Sequence, residues 1–139
     1  MIERTLAIIK PDAVAAGHAG EILSMIQRAG FRILAMRMVR LSRREAEGFY
    51  AVHRGKPFFD SLCDFMSEGP ALVMALEAED AIRKWRELMG PTNPAHAPQG
   101  TVRERFGSNI ERNAVHGSDA AETAAFELAY FFRGVELIG

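Results

Sequence analysis

The 139-residue sequence lacks several features that mark common protein classes. Cys63 is its one cysteine, so no internal disulfide can form, and no Cys/His spacing resembles a zinc site. No uncharged apolar run is long enough to span a bilayer, and the N-terminal segment lacks the pattern of a secretion signal. We therefore expect a cytoplasmic protein without a membrane partner, in which Cys63 is a small buried hydrophobe.

An excess of charge of one sign is also missing, because the formal net charge is −1 at pH 7. Nucleic-acid binding requires a substantial basic surface, so we expect no nucleic-acid partner. The basic residues are unevenly spread, however, and one group of them consists of Arg83, Lys84, Arg86, Arg103, Arg105 and Arg112. This group is either a solvated face, the more common outcome, or a local anion-binding site.

The glycine-rich loops that bind nucleotides in many enzymes are absent as well. Neither the P-loop pattern G-x-x-x-x-G-K-[ST] nor the dinucleotide pattern G-x-G-x-x-G occurs. If the protein handles nucleotides, it must therefore hold them with side chains.

Hydrophobic periodicity predicts strands that alternate with helices along the chain. The expected strands cover residues 5–9, 31–41, 71–76 and a short segment at Ala114 and Val115. In the second strand, Leu34, Met36 and Met38 are expected to share one face. The expected helices cover residues 20–29, 42–53, 56–66, 80–89 and a last segment that begins at Asp119.

The order of these elements predicts the fold class. We expect an α/β (α+β) protein of the ferredoxin-like split β-α-β type, with a four-stranded antiparallel sheet and helices packed on one face of it. The chain length fits a single domain with one core, covering residues 1–139. Residues 90–109 are rich in proline and glycine, and we expect them to form a long functional loop.

His116 lies in the stretch NAVHGSDAAE, between a short strand and the last predicted helix. Gly117 is expected to give this turn backbone freedom, Ser118 or Asp119 to cap the helix, and Glu122 to lie at its third position. A phosphoryl group near a helix start meets a favourable partial charge. Taken alone, the stretch fits a turn histidine without a chemical role better than a catalytic one.

Other candidate residues are also ambiguous when each is considered alone. Lys10 ends the first strand beside a proline, and Tyr50 and His53 have the spacing to face a common cleft. Of Phe58 and Phe59, one ring is expected in the core and the other exposed as a stacking platform for a flat ligand.

Considered together, the motifs resemble those of the nucleoside diphosphate kinase family. The matching segments are colinear from Thr5 to Phe132: IIKPDAV, FYAVHRGKPFF, ELMGPTNP, GTVRERF and RNAVHGSDAAE, the last of which contains the family signature NxxHGSD. The resemblance implies transfer of the γ-phosphoryl group of a nucleoside triphosphate, typically ATP, to a nucleoside diphosphate. It further implies a ping-pong mechanism through a phosphohistidine at His116, with broad base specificity.

The resemblance also implies the roles of the matching residues. Glu127, with Ser118, would fix the tautomer of His116, and Tyr50 would position Lys10. The family's nucleotide contacts map onto Lys10, Phe58, Arg86, Thr92, Arg103 and Asn113, where Phe58 stacks on the base without selecting it. Mg²⁺ is expected as cofactor, carried by the nucleotide's phosphates, so no metal-ligating residue is assigned.

Some questions stay open at the level of the sequence. After Arg103 the family usually has a small residue and an acid, whereas this chain has Glu104 and Arg105, of which Arg105 either tightens phosphate binding or changes packing against a neighbouring subunit. The resemblance implies a homo-oligomer, either a tetramer or a hexamer. Two other functions are a nonenzymatic nucleotide-binding module, which would not need His116, and a phosphohistidine carrier served by a protein partner, which would not need Phe58.

Overall fold

The computed structural model describes residues 1–138 and contains a four-stranded antiparallel sheet. The strands are β1 (Ile2–Ile9), β2 (Arg32–Val39), β3 (Ala71–Glu79) and β4 (Val115–Gly117). Their order across the sheet is β2-β3-β1-β4, so β1 lies in the centre between β3 and β4. This arrangement confirms the predicted ferredoxin-like fold class.

Helices connect the strands. They are α1 (Pro11–Ala15), α2 (Ala19–Arg28), α3 (Arg43–Phe49), α4 (Phe59–Met66), α5 (Ala81–Met89), α6 (Val102–Phe106) and α7 (Ala121–Phe131), with 3-10 turns at Ala51–His53, Pro94–His96 and Gly134–Glu136. Within residues 1–138, none of these helices combines the length and the apolar character that a bilayer crossing requires.

Alternate residues of β1 enter two separate cores. Leu6 and Ile8 belong to the core under α3, α4 and α7. Ala7 and Ile9 belong to the core under α2 and α5 on the opposite face. The expectation of one core with helices on one face is therefore wrong. The central strands β1 and β3 are apolar on both faces, and each apolar face must be covered. Cys63 is buried in the first core, as predicted.

The edge strand β2 departs from its predicted alternation. A register shift occurs between Ile33 and Ala35, opposite β3. Leu34 is buried at this irregularity, whereas Met36 and Met38 are 51% and 52% exposed. The three residues were expected to share a face, and this is wrong because an inserted residue reverses the side-chain alternation that follows it.

The helix starts confirm one predicted cap, correct one predicted boundary and correct the predicted cap of the last helix. Ser42 and Glu45 form the predicted capping box at α3: Glu45 N donates to Ser42 Oγ (3.0 Å), and Ser42 N donates to Glu45 Oε1 (2.8 Å). Helix α4 begins at Phe59 and not at residue 56. Helix α7 begins after Ala120, whose N–H donates to Thr123 Oγ1 (2.9 Å), so neither Asp119 nor Glu122 has the predicted role.

Residues 90–109 contain more regular structure than predicted. The segment includes the 3-10 turn Pro94–His96 and the five-residue helix α6. Thr101 Oγ1 caps α6 by accepting a hydrogen bond from Glu104 N (3.3 Å). Helices this short leave almost no periodic pattern in a sequence.

Candidate active site

His116 lies on the edge strand β4, paired with Ile8 of β1. Its backbone carbonyl accepts a hydrogen bond from Trp85 Nε1 (3.1 Å), which comes from α5 on the face below. A Cβ atom on Gly117 would lie 2.5 Å from Trp85 Cδ1. Gly117 is not among the residues with positive φ, so its small size, and not backbone freedom, explains the glycine.

A carboxylate contacts one ring nitrogen of the His116 imidazole. His116 Nε2 lies 2.8 Å from Glu127 Oε1 on α7. Ser118 Oγ donates to the same oxygen (2.9 Å) and accepts from Leu6 N (3.3 Å), so Ser118 does not cap the helix. Because an ionised carboxylate only accepts, Nε2 carries the hydrogen of the neutral ring. The lone pair of Nδ1 is therefore available for attack.

Aromatic rings fix the position of the imidazole from the sides. Phe49 and Tyr50 meet the His116 ring edge-on, with centroids 5.3 Å and 6.1 Å away. The His53 ring stacks on Tyr50, and partial burial lowers the pKa of His53. The buried Tyr50 hydroxyl has no hydrogen-bond partner within residues 1–138, and its burial raises the pKa of the phenol.

The ammonium group of Lys10 is held by an amide and not by Tyr50. Lys10 Nζ donates to Asn113 Oδ1 (2.9 Å), and Asn113 Nδ2 donates to the carbonyl oxygens of Thr92 and Ile110. Burial and, to a lesser extent, the charge of Arg103 lower the pKa of Lys10 to about 8. Because burial disfavours the charged form of Lys10, an anion that binds beside its ammonium group stabilises that form.

The residue before β4 has an unusual backbone conformation that the sequence did not reveal. Ala114 has a φ of 72°, in the left-handed region that non-glycine residues rarely adopt. Its N–H donates to Asp12 Oδ2 (3.1 Å), and its carbonyl accepts from Lys10 N (2.8 Å). The motif KPD therefore holds the strand that carries His116, a role for Asp12 that was missed.

Arg103 connects the long loop to the site. Its guanidinium donates to the carbonyl oxygens of Asn113, Gly90 and Val115, at 3.3, 3.0 and 2.8 Å. Burial, with a smaller effect from Arg86, lowers the pKa of Arg103 to about 10. A guanidinium carries five N–H groups, so donors remain for an anionic ligand.

These side chains line one cleft of about 400 Å³. Phe58, 46% exposed, lies in its wall, whereas Phe59 is buried, as predicted for the pair. Every predicted site residue except Ser118, which is buried behind Glu127, contributes to the lining: Lys10, Tyr50, Phe58, Arg86, Thr92, Arg103, Asn113, His116 and Glu127.

Comparison with known proteins identifies the chain. The family model described as nucleoside diphosphate kinase matches residues 3–137. The chain belongs to this family. A nucleoside diphosphate kinase of Syntrophotalea carbinolica is 64% identical over 99% of this chain and 100% of its own. The predicted resemblance is therefore confirmed, and with it the assignment to a family of enzymes.

Solved structures of the nucleoside diphosphate kinase family have the same fold. The Aquifex aeolicus nucleoside diphosphate kinase has a TM-score of 0.98 and 42% identity, covering 99% of this chain and 100% of its own. The Halobacterium salinarum nucleoside diphosphate kinase, solved in complex with CDP, has a TM-score of 0.95 and 36% identity, covering 100% of this chain and 93% of its own.

The basic residues grouped in the sequence divide between the two alternatives considered for them, a local anion-binding site and a solvated face. Arg86 and Arg103 line the cleft. Arg83, Arg105 and Arg112 instead form ion pairs outside it. Arg105 pairs with Glu21 of α2 (2.8 Å) within the same chain.

Several further residues line the cleft but were not assigned to the site from the sequence, among them His53, Ile110 and Glu111. The spacing of Tyr50 and His53 was a signal for the first. Ile110 and Glu111 lie in a segment without periodicity, so only the fold brings them to the cleft.

Proposed function

We propose that this member of the nucleoside diphosphate kinase family transfers the γ-phosphoryl group of a nucleoside triphosphate, typically ATP, to a nucleoside diphosphate through a phosphohistidine on His116. The contact between His116 Nε2 and Glu127 is the observation that carries the proposal, because it leaves Nδ1 free in a cleft lined by cations. Family membership supports the reaction class.

In the first half-reaction, His116 Nδ1 attacks the γ-phosphorus. A P–N bond forms as the bond to the β–γ bridging oxygen breaks, and the diphosphate leaves with that electron pair. The ring becomes positively charged, and the carboxylate of Glu127 stabilises this charge through Nε2–H. In the second half-reaction, the terminal oxygen of another diphosphate attacks the phosphorus. The P–N bond breaks, and the imidazole returns to its neutral form.

The cations of the cleft provide the electrostatic part of catalysis. Lys10, Arg86 and Arg103 would neutralise the phosphate oxygens, where charge develops during transfer. Thr92 would contact the phosphates, and Asn113 with Lys10 would bind the sugar hydroxyls. In this proposal Tyr50, whose buried hydroxyl has no hydrogen-bond partner within residues 1–138, also helps to position Lys10.

The base would lie on the exposed ring of Phe58. A stacking face accepts any flat heterocycle, because it makes no hydrogen bonds with the edge of the base. This property supports the broad base specificity of the proposed reaction.

The donor set of the cleft suits a metal that arrives with the nucleotide. Within residues 1–138, no group of three or more His, Cys, Asp or Glu side chains is placed to hold one ion. Mg²⁺ prefers few protein ligands and several phosphate or water oxygens. We therefore propose Mg²⁺ carried by the nucleotide's phosphates, where it would supply further neutralisation of their charge.

Labelled nucleotides test the reaction. Incubation with γ-labelled ATP should give an acid-labile, base-stable protein adduct that passes its label to GDP. His116→Ala should abolish both adduct and transfer but retain nucleotide binding, whereas His96→Ala, outside the cleft, should retain all three. Transfer at a near-normal rate by His116→Ala would contradict the proposal. Nucleotide binding without an adduct would favour a binding module, and an adduct formed only from a phosphorylated protein would favour a carrier.

We also propose a cytoplasmic homo-oligomer, either a tetramer or a hexamer. The edge strand β2 exposes two large apolar side chains, Met36 and Met38. In the long loop, the Pro94 ring is in close contact with Gly107. Pro94→Ser should lower stability in urea more than activity under mild conditions. Light scattering at micromolar concentration tests the assembly, and a stable, fully active 15.4 kDa monomer would refute it.

A further inference from the structure

The cleft contains a carboxylate to which the proposed transfer reaction gives no role. Glu111 follows Ile110 in one wall of the cleft, and Phe58 lies in the wall formed by the start of α4. Ser61 Oγ of α4 donates to Glu111 Oε1 (3.0 Å), which joins the two walls. Ser61 comes three residues after Phe58, so this bridge lies one helical turn from the stacking ring.

The position of the bridge matches the place of the base. His116, Lys10 and Arg103 form the more deeply buried end of the cleft, whereas Phe58 and Ile110 are 46% and 63% exposed. A nucleotide whose phosphates reach the buried end therefore leaves its base between the two exposed apolar side chains. The next residue of that wall is Glu111, beside which the edge of such a base would lie.

The carboxylate of Glu111 is oriented and still has accepting capacity. Oε1 is held by Ser61, and Oε2 has no hydrogen-bond partner in the part of the chain that the structure describes. The negative charge of Glu111 also reaches into the cleft, where it opposes the larger lowering of the Lys10 pKa by burial.

We infer that Glu111 is a specificity-determining residue that favours bases with an amino group on the edge beside it, guanine above all. This inference rests on the proposed function, because it needs the base at the exposed end of the cleft. A carboxylate only accepts hydrogen bonds, and guanine presents a ring N–H and an amino group side by side. Adenine and cytosine present one amino group. Uracil and thymine have no amino group, and their one ring N–H lies between two carbonyl oxygens, which the carboxylate repels.

Binding of GDP and IDP isolates this contact, because the two bases differ only in the amino group. By calorimetry, the unmodified protein should bind GDP about three- to tenfold more tightly than IDP, the range of one net hydrogen bond. Glu111→Ala should bring the ratio close to one. Glu111→Gln, which keeps the size but not the charge, should give an intermediate ratio. Glu68→Ala is the matched control, since Glu68 pairs with Arg112 outside the cleft and its loss should leave the ratio unchanged.

Two results would overturn the inference: equal affinities for GDP and IDP in the unmodified protein, or a wild-type ratio in both Glu111 variants. Label transfer from ATP to UDP, measured on the same preparations, separates this failure from failure of the proposed function. If transfer still requires His116 but both Glu111 variants keep the wild-type ratio of GDP to IDP affinity, only the role of Glu111 is refuted.

Discussion

The affinity of the protein for nucleoside diphosphates should fall as the pH rises through the pKa of Lys10. This pKa is lowered to about 8, first by burial and then by the charge of Arg103. Phosphate oxygens bind the ammonium form, so above this pKa the free protein must take up a proton when the nucleotide binds. The affinity for nucleoside diphosphates is therefore highest below the pKa of Lys10 and decreases above it.

The size of the expected loss of affinity follows from the pKa of Lys10 alone. If only the protonated form binds, the dissociation constant rises about twofold at pH 8 and about tenfold at pH 9. Arg103 does not complicate this range, because its pKa, although lowered by burial, is about 10. Its guanidinium therefore stays mostly charged up to pH 9.

Calorimetric titration with ADP at pH 7, 8 and 9, at constant ionic strength, measures the effect. Lys10→Gln is the control, because a glutamine amide can still donate to Asn113 Oδ1 but does not titrate. The variant should bind ADP more weakly and with the same affinity at all three pH values. An affinity of the unmodified protein that does not change between pH 7 and 9, or an equal decrease in Lys10→Gln, would refute the reasoning.

Three other substitutions test separate parts of the site. Phe58→Ala should weaken binding of ATP, GTP and CTP by comparable factors, because stacking contributes about 1–3 kcal/mol for any base; a loss confined to one base would contradict this. Glu127→Gln should slow adduct formation in a rapid-quench assay by about 5- to 15-fold, because a neutral acceptor replaces a charged one. An unchanged rate would show that the carboxylate does not stabilise the ring. Gly117→Ala should lower the free energy of unfolding in urea by about 1–3 kcal/mol, since the methyl group overlaps Trp85. Unchanged stability would argue against that close contact.

Local patterns predicted the strands of this protein well, and its helix boundaries less well. β1 and β3 were predicted because continuous apolar runs leave few alternatives. The cap at Ser42 was predicted because a capping box involves residues only three apart. Helix α6 was missed because it has five residues within a segment rich in proline and glycine. The start of α7 was misplaced because several of the residues before it can act as caps.

The sequence by itself singled out the candidate site residues, because the motifs that resemble those of the family include His116 and its proposed partners. Only the tertiary structure decided how these residues meet. Lys10 and Asn113 are 103 positions apart and touch because β1 lies beside β4 in the sheet. The same pairing places Ser118 behind Glu127 and turns Asp12 toward Ala114. Glu111 reaches Ser61 only because the loop before β4 folds against α4. Such contacts depend on strand order and loop path, which are properties of the whole chain and not of any local segment.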